Sequence, residues 1–517
     1  LVEYCELPSD RELVPDIHPS KLKIRVEDPD YASFYDKSIN IRQQNGYILK
    51  GKGTETFECR FAYMGFQFVR VTADPGVTVE RVEAVPVHTD VAEAGRFVCS
   101  NDVVNRLQDI SRASLLNNFH SIPTDCPHRE KQGWTADTYM TDQAAIYNFD
   151  MAAFYAKWVE DLAGTQDSAG GLCTVAPSTG YDQSISTVWP AAIVYVPWDL
   201  LAYYGDRRVV ERHYETMMRF AESSLLRQRD GKPEIIGEVL GDWVSPHMTL
   251  SDTLMSYSMA PPEGLTLYGT ASHYRVVRNL AEVARFLGKR DDAVRLDAWA
   301  DRIARRFNEE FFDAASGIYH GENPTPYRQA ANVVPLEYGL VPEADSARVL
   351  GSLLRDLDGT RDRIGTGFVG TLSMMELMPR IDPERAYRLA TQPDYPGWGF
   401  MALSGATTMW ETWDGSASRN HPPFCLISAY FYKYLAGIRC DRAYPGFERF
   451  TVDPSVVGDL TFVEAWHDSP YGRIRSEWRR DGSRLTMKVS VPVGTTATIG
   501  VPTRDAAGVA ESGRPVS

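Results

Sequence analysis

The chain has no run of about 18 apolar residues, so no segment reads as a membrane-crossing helix. Cysteine is scarce. The seven cysteines lie at 5, 59, 99, 126, 173, 425 and 440, an odd number with no CxxC pair and no Cys/His ligand spacing. That pattern excludes a zinc ribbon and a disulfide-stapled scaffold. It points to a reducing, cytoplasmic location. The chain opens Leu-Val-Glu, with neither Met nor a signal-like stretch, so an upstream signal or domain belongs among the expectations. Positive charge is in deficit, 54 Lys plus Arg against 69 Asp plus Glu, a net charge of -15. Nucleic acid and anionic membrane, which need a basic surface, are excluded as main partners. Nothing calls for a metal or an organic cofactor. Oligomeric state is open between monomer and homodimer.

What remains is a soluble globular composition. Of 517 residues, 43% are hydrophobic and 24% charged, enough for two or three domains. Residues 1–92 read as β. Asn45-Gly46 is a turn between strand-like runs, and Phe57–Val71 and Val77–Val87 alternate loosely. A β-sandwich, whole or short of its first strands, is expected there. Composition shifts near Phe97, with Ser100 as a helix N-cap. From 93 to 440 the pattern is helical. Val276, Leu280, Val283 and Leu287 form one apolar stripe, ended by Gly288. Leu296, Trp299, Ile303 and Phe307 form a second, and Ala347, Leu350 and Leu354 a third. Paired helices without a fixed repeat favour a closed (α/α)6 toroid over an open solenoid. Residues 441–517 return to β, with an Asp481-Gly482 hairpin and a Leu485–Val493 strand, and read as a second β-sandwich with a frayed tail.

The stretch that concentrates chemistry is Thr124–Asp137, T-D-C-P-H-R-E-K-Q-G-W-T-A-D. Pro127 disfavours helix at Cys126, so an extended loop enters a helix here. Thr408-Met-Trp-Glu-Thr-Trp-Asp is its distant counterpart. Cleaving a glycosidic bond typically uses two carboxyl groups, one protonated and one ionised. Glu130 and Glu411 are the pair selected. The bland alternatives are a solvated turn with Arg129 paired to Asp125, and a Glu411 that caps a helix or pairs with Arg419. Asp142, Asp182 and Asp252 are weaker candidate acids.

The D-C-P-H-R-E and G-W-T-A-D run, then G-D-W, W-G-F, T-T-M-W-E-T-W-D and S-R-N-H, resembles the bacterial α-L-rhamnosidases of glycoside hydrolase family 78. The resemblance extends over nearly the whole chain. It includes Gly46-Tyr-Ile-Leu-Lys-Gly in the first β-region and Pro445-Gly-Phe-Glu-Arg-Phe in the last. It implies a central (α/α)6 toroid at 93–440 flanked by β-sandwich domains, and inverting hydrolysis of terminal α-L-rhamnose. By the same resemblance Glu130 is the general acid and Glu411 the general base. Asp125, Arg129, Trp134, Asp137, Trp189, Asp242, Trp243, Trp398 and His421 line the sugar pocket. Arg129 beside Glu130 would oppose the acid's role, so Asp125, Asp137 and burial must outweigh it. Another toroid glycosidase, a phosphorylase or a non-catalytic sugar-binding relative are the rival readings.

Overall fold

The computed structural model describes residues 1–5, 43–180, 186–246, 260–503 and 506–515. At the N-terminal end, β1 (Val2–Cys5) sits between β2 (Gln44–Asn45) and β3 (Phe68–Val71) in an antiparallel sheet. Asn45-Gly46 does not join two paired strands. Of Phe57–Val71 only β3 is extended into a ladder. The segment 77–87 has no strand at all, and Val79, Val82 and Val85 are exposed, so alternation there is not matched by burial.

The next strand, β4 (Gly95–Cys99), belongs to the far end of the chain. It pairs with β7 (Phe462–Ser469), Cys99 facing Val463, in a sheet continued by β8 (Gly472–Asp481) and β9 (Arg484–Ser490). A second sheet orders β10 (Thr496–Ile499), β6 (Arg449–Val452) and β5 (Ile438–Cys440). The Asp481–Arg484 hairpin is as expected, with Gly482 at φ +55° supplying the left-handed turn position. The tail is not frayed throughout, since β11 (Ala510–Glu511) and β12 (Arg514–Pro515) form an exposed hairpin.

Between these β-regions the chain is helical. α1 (Asp102–Leu116) is capped by Asn101, whose side chain accepts the N–H groups of Val103 at 2.9 Å and Val104 at 3.2 Å. Ser100, the expected cap, instead accepts Thr461 N–H at 2.8 Å and ties the helix to the C-terminal sheet. Helices then fall into two kinds. α3 (Ala152–Ala163), α5 (Arg207–Ser223), α7 (Arg290–Phe311), α9 (Glu343–Thr360) and α11 (Pro383–Thr391) bury one face and leave the other wet. By contrast, α2 (Thr135–Asn148), α4 (Ala192–Tyr204), α8 (Gln329–Tyr338) and α10 (Phe368–Ile381) are largely buried on most sides, as is the N-terminal two-thirds of α6 (Thr266–Phe286). The short α12 (Trp398–Leu403) and α13 (Ile427–Tyr430) complete the α-helices among the described residues. α2 packs on α4, α4 on α6, α6 on α8 and α8 on α10, while α13 touches both α10 and α2. The stripes on α6 and α7 are buried as expected. On α9 the buried face is Val349, Leu353 and Leu357, one position off the expected Leu350 and Leu354, while Ala347 is exposed. No helix among the described residues is long and apolar enough to cross a membrane.

Candidate active site

The loops entering α2, α10 and α13 meet at one end of the inner helices. The loop 125–132 closes on itself: Asp125 N–H donates to Gln132 O at 2.9 Å, and Gln132 N–H returns to Asp125 Oδ1 at 2.9 Å. Asp125 is therefore a loop-closing residue, wholly enclosed. Burial and the neighbouring Glu130 carboxyl push its pKa well above the usual carboxylate range. Glu130 follows on the loop, half-buried, with its backbone N–H on Cys126 Sγ at 3.3 Å. One turn on, Trp134 donates its indole N–H to Glu130 Oε2 at 2.7 Å.

Glu411 arrives from the other side. A small loop holds it: Glu411 N–H donates to Ser418 O at 2.8 Å, and Ser418 N–H donates to Glu411 Oε2 at 3.1 Å. The Arg129 guanidinium bonds the same Oε2. His421 Nδ1 lies 4.0 Å from it, and His421 Nε2 is 2.9 Å from Asp137 Oδ1 at the start of α2. Neither bland alternative holds, because Arg129 pairs with Glu411 rather than Asp125. Arg419 stacks over Trp410 at 4.9 Å and donates to Gly415 O at 3.1 Å.

The pKa values of the two carboxyls move in opposite directions. For Glu130, burial and the charge of Glu411 outweigh Arg129, Trp134 and His421, and the pKa is raised. Burial would raise Glu411 too, but Arg129, His421 and the Ser418 N–H overcome it, and the pKa is lowered. His421 is held as imidazolium. Burial opposes this, yet Glu411 and Asp137 raise its pKa to about 9. The tension expected between Arg129 and the acid is resolved by burial and Glu411; Asp137 serves His421 instead.

Of the remaining expected pocket residues, Trp189 and Trp243 meet edge to face at 6.4 Å, near the start of α4. Two others are held by neighbours inside the protein. Asp242 spends one oxygen on Gly367 N–H at 2.7 Å and the other on Gly370 N–H at 2.8 Å, fastening the first turn of α10, and burial raises its pKa to about 7. Trp398 is fully buried, its indole N–H donated to Phe424 O at 3.0 Å and its ring edge-on to Trp413 at 5.2 Å. Both are committed to packing before any sugar arrives. Residues not anticipated include Ser418 and Phe368, the latter stacked on His421 at 6.0 Å. The Asp414-Gly415 turn signal was the available cue to the Glu411–Ser418 loop.

Ligand-type atoms of Asp125, Cys126 and His421 lie within 4.8 Å of one another, a grouping that sequence spacing does not reveal. Burial and Asp125 push the Cys126 thiol pKa well above its ordinary value. Asp142 is not in the site. It lines a small cavity among α2, α4, α6, α10 and α13, with Asp199, Glu376, Arg275, Lys433 and Arg442. The cavity's charges are largely matched to each other, Arg442 on Asp199 and Lys433 on Glu376 at 2.5 Å, so it holds helices together and offers no acid–base pair. Asp182 and Asp252 lie outside the described residues.

Helical hairpins between two β-regions, with two oppositely tuned glutamates where the inner loops meet, define a glycoside-hydrolase type of site. Comparison with known proteins gives the family. Residues 92–435 match the bacterial alpha-L-rhamnosidase 6 hairpin glycosidase domain, 437–514 the family's C-terminal domain and 21–88 its concanavalin-like domain. The chain belongs to the bacterial α-L-rhamnosidase family. It is 30% identical over 478 residues to an α-L-rhamnosidase of Formosa agariphila, covering 88% of this chain and 49% of that protein. An α-L-rhamnosidase of Streptomyces avermitilis is 30% identical over 498 residues, 92% of this chain and 45% of the other. Among solved structures, α-L-rhamnosidase from Dictyoglumus thermophilum superposes with a TM-score of 0.82 at 31% identity, covering 98% of this chain and 54% of that one. The Streptomyces avermitilis enzyme complexed with L-rhamnose gives 0.78 at 27%, covering 99% and 48%. The chain thus spans about half the length of the relatives it matches.

Proposed function

We propose that the chain hydrolyses terminal α-L-rhamnosides with inversion, Glu130 acting as general acid and Glu411 as general base. The observation that carries this reading is the opposite tuning of two carboxyls in electrostatic contact. The names of the relatives support rhamnose as the sugar. The succession of inner-helix contacts, closed by α13, supports a six-hairpin (α/α)6 toroid over 93–440 as the catalytic unit.

The donors bonded to Glu411 converge on Oε2, leaving Oε1 to take a proton from water. On Glu130, Trp134 occupies Oε2, leaving Oε1 to carry the proton that is given up. Glu130 protonates the glycosidic oxygen as the C1–O bond breaks. Water attacks C1 from the opposite face and loses a proton to Glu411. Turnover leaves Glu130 ionised and Glu411 protonated, and exchange with solvent resets both. Inversion requires room for that water, a carboxyl separation of about 6.5–9.5 Å. Asp125, Asp137, His421, Trp134, Trp189 and Trp243 are assigned to holding the sugar, with the indoles facing its methyl and C–H surfaces.

Proton NMR of nitrophenyl α-L-rhamnoside hydrolysis tests the stereochemistry. The β-anomer should appear first and mutarotate later; an initial α-anomer would end the inverting mechanism. Comparison with the α-glucoside, mannoside and fucoside tests the sugar, with turnover expected on the rhamnoside alone.

A further inference from the structure

The segment just before β3 reaches out of the N-terminal sheet and touches both catalytic loops. At Gly65 there is no room for a side chain. A Cβ there would stand 2.6 Å from the Pro127 carbonyl carbon and 2.8 Å from His128 N, in the backbone of the acid loop. Gly65 is itself fixed by Gln43, which accepts its N–H at 3.0 Å and donates to its carbonyl at 2.7 Å. Two residues earlier, the Tyr63 carbonyl accepts Lys131 Nζ at 2.6 Å, and the same ammonium lies 4.5 Å from the Tyr63 ring centroid. Tyr63 is stacked on His120 at 3.6 Å, and His120 contacts Asn117 O at the end of α1. Two residues later, Gln67 donates to Thr407 Oγ1 at 2.7 Å, where the chain approaches Glu411.

Lys131 is the residue directly after Glu130, and its φ is +56°. A side chain in the left-handed region is strained and persists where the surroundings enforce it. Here the enforcing contact is Tyr63, which belongs to another part of the chain and is anchored on α1.

We propose that the 63–67 segment is a clamp that sets the pose of the acid loop, with Tyr63, Gly65 and Lys131 as positioning residues for Glu130. None of them is needed to touch substrate. The inference rests on the reading of Glu130 as general acid, and it makes the N-terminal β-region part of the catalytic apparatus. A displaced acid loop delivers its proton poorly, which matters only when the leaving group needs one.

The experiment uses the full chain with Lys131→Met and Gly65→Ala, melting temperatures checked, and compares kcat/KM on methyl and 2,4-dinitrophenyl α-L-rhamnoside. The methyl glycoside needs its departing oxygen protonated and the dinitrophenyl glycoside does not. Each variant is expected to lose about 10- to 100-fold on the methyl substrate and less than about threefold on the dinitrophenyl one, a partial loss of general-acid assistance. If Gly65→Ala does not fold, Lys131→Met alone decides. Equal losses on both substrates, or no loss on either, overturn the clamp. Glu130→Gln is the control. If it shows no leaving-group dependence, the acid assignment fails and the clamp with it; if only the control shows it, the clamp alone fails.

Discussion

Glu130 and Glu411 differ in an instructive direction. Glu411 is the more deeply enclosed of the two, its side chain 6% exposed, and it is the one held ionised. Glu130, half-buried, is the one whose pKa is raised. Burial alone would order them the other way, because removal from water disfavours charge. What decides is the partner set. Glu411 receives a guanidinium, an imidazolium and a backbone N–H, whereas Glu130 receives one indole N–H and faces a neighbouring carboxylate. Arg129 sits beside Glu130 in sequence and bonds Glu411 in space, so one loop supplies both the proposed proton donor and the cation that keeps the proposed acceptor charged.

Removing Arg129 should collapse the contrast most. In Arg129→Met the Glu411 pKa rises, and since the base works ionised, the acidic limb of kcat/KM moves to higher pH. A loss of about 100-fold at pH 5 that shrinks toward pH 7 is the expected pattern, read from the pH profile on an aryl rhamnoside.

His421 gives a smaller effect, visible in stability. Its folded pKa of about 9 lies above the ordinary 6.5. The stabilisation it contributes is therefore full below about pH 6.5 and lost as pH rises through about 9. The melting-temperature gap between wild type and His421→Gln should narrow over that window, and a gap that widens would reverse the assigned charge. Smallest of all, Trp134→Phe removes a bond that favours the ionised form of Glu130. The basic limb should move upward by less than one pH unit, with a modest loss in kcat.

The legibility of the sequence follows the range of the interactions. The stripes on α6 and α7 could be read because each presents a single apolar face. On α9, Leu350 and Leu354 lie beside Val349, Leu353 and Leu357, so two stripes one position apart compete and tertiary packing chooses. Ser100 and Asn101 are both good caps; Asn101 took the helix because Ser100 is bound to Thr461. The valines of 77–87 alternate without burial. In the site, Glu130, Trp134 and Asp137 were legible because they occupy one loop and the first turn of one helix. The pairing of Arg129 with Glu411 joins residues 282 apart, and no local pattern announces it. Trp398 and Asp242 carry the right chemistry for a sugar pocket, and no local pattern announces the hydrogen bonds that tie them to Phe424 and to α10.

The division of labour between the glutamates is tested most directly by the pH dependence of kcat/KM on dinitrophenyl α-L-rhamnoside for wild type, Glu130→Gln and Glu411→Gln. The account predicts that Glu130→Gln retains substantial activity and keeps the acidic limb, because this substrate leaves without a proton donor. Glu411→Gln should fall by about 1,000-fold or more and lose the acidic limb. The reverse pattern, or a Glu411→Gln variant that keeps the wild-type acidic limb, would contradict it.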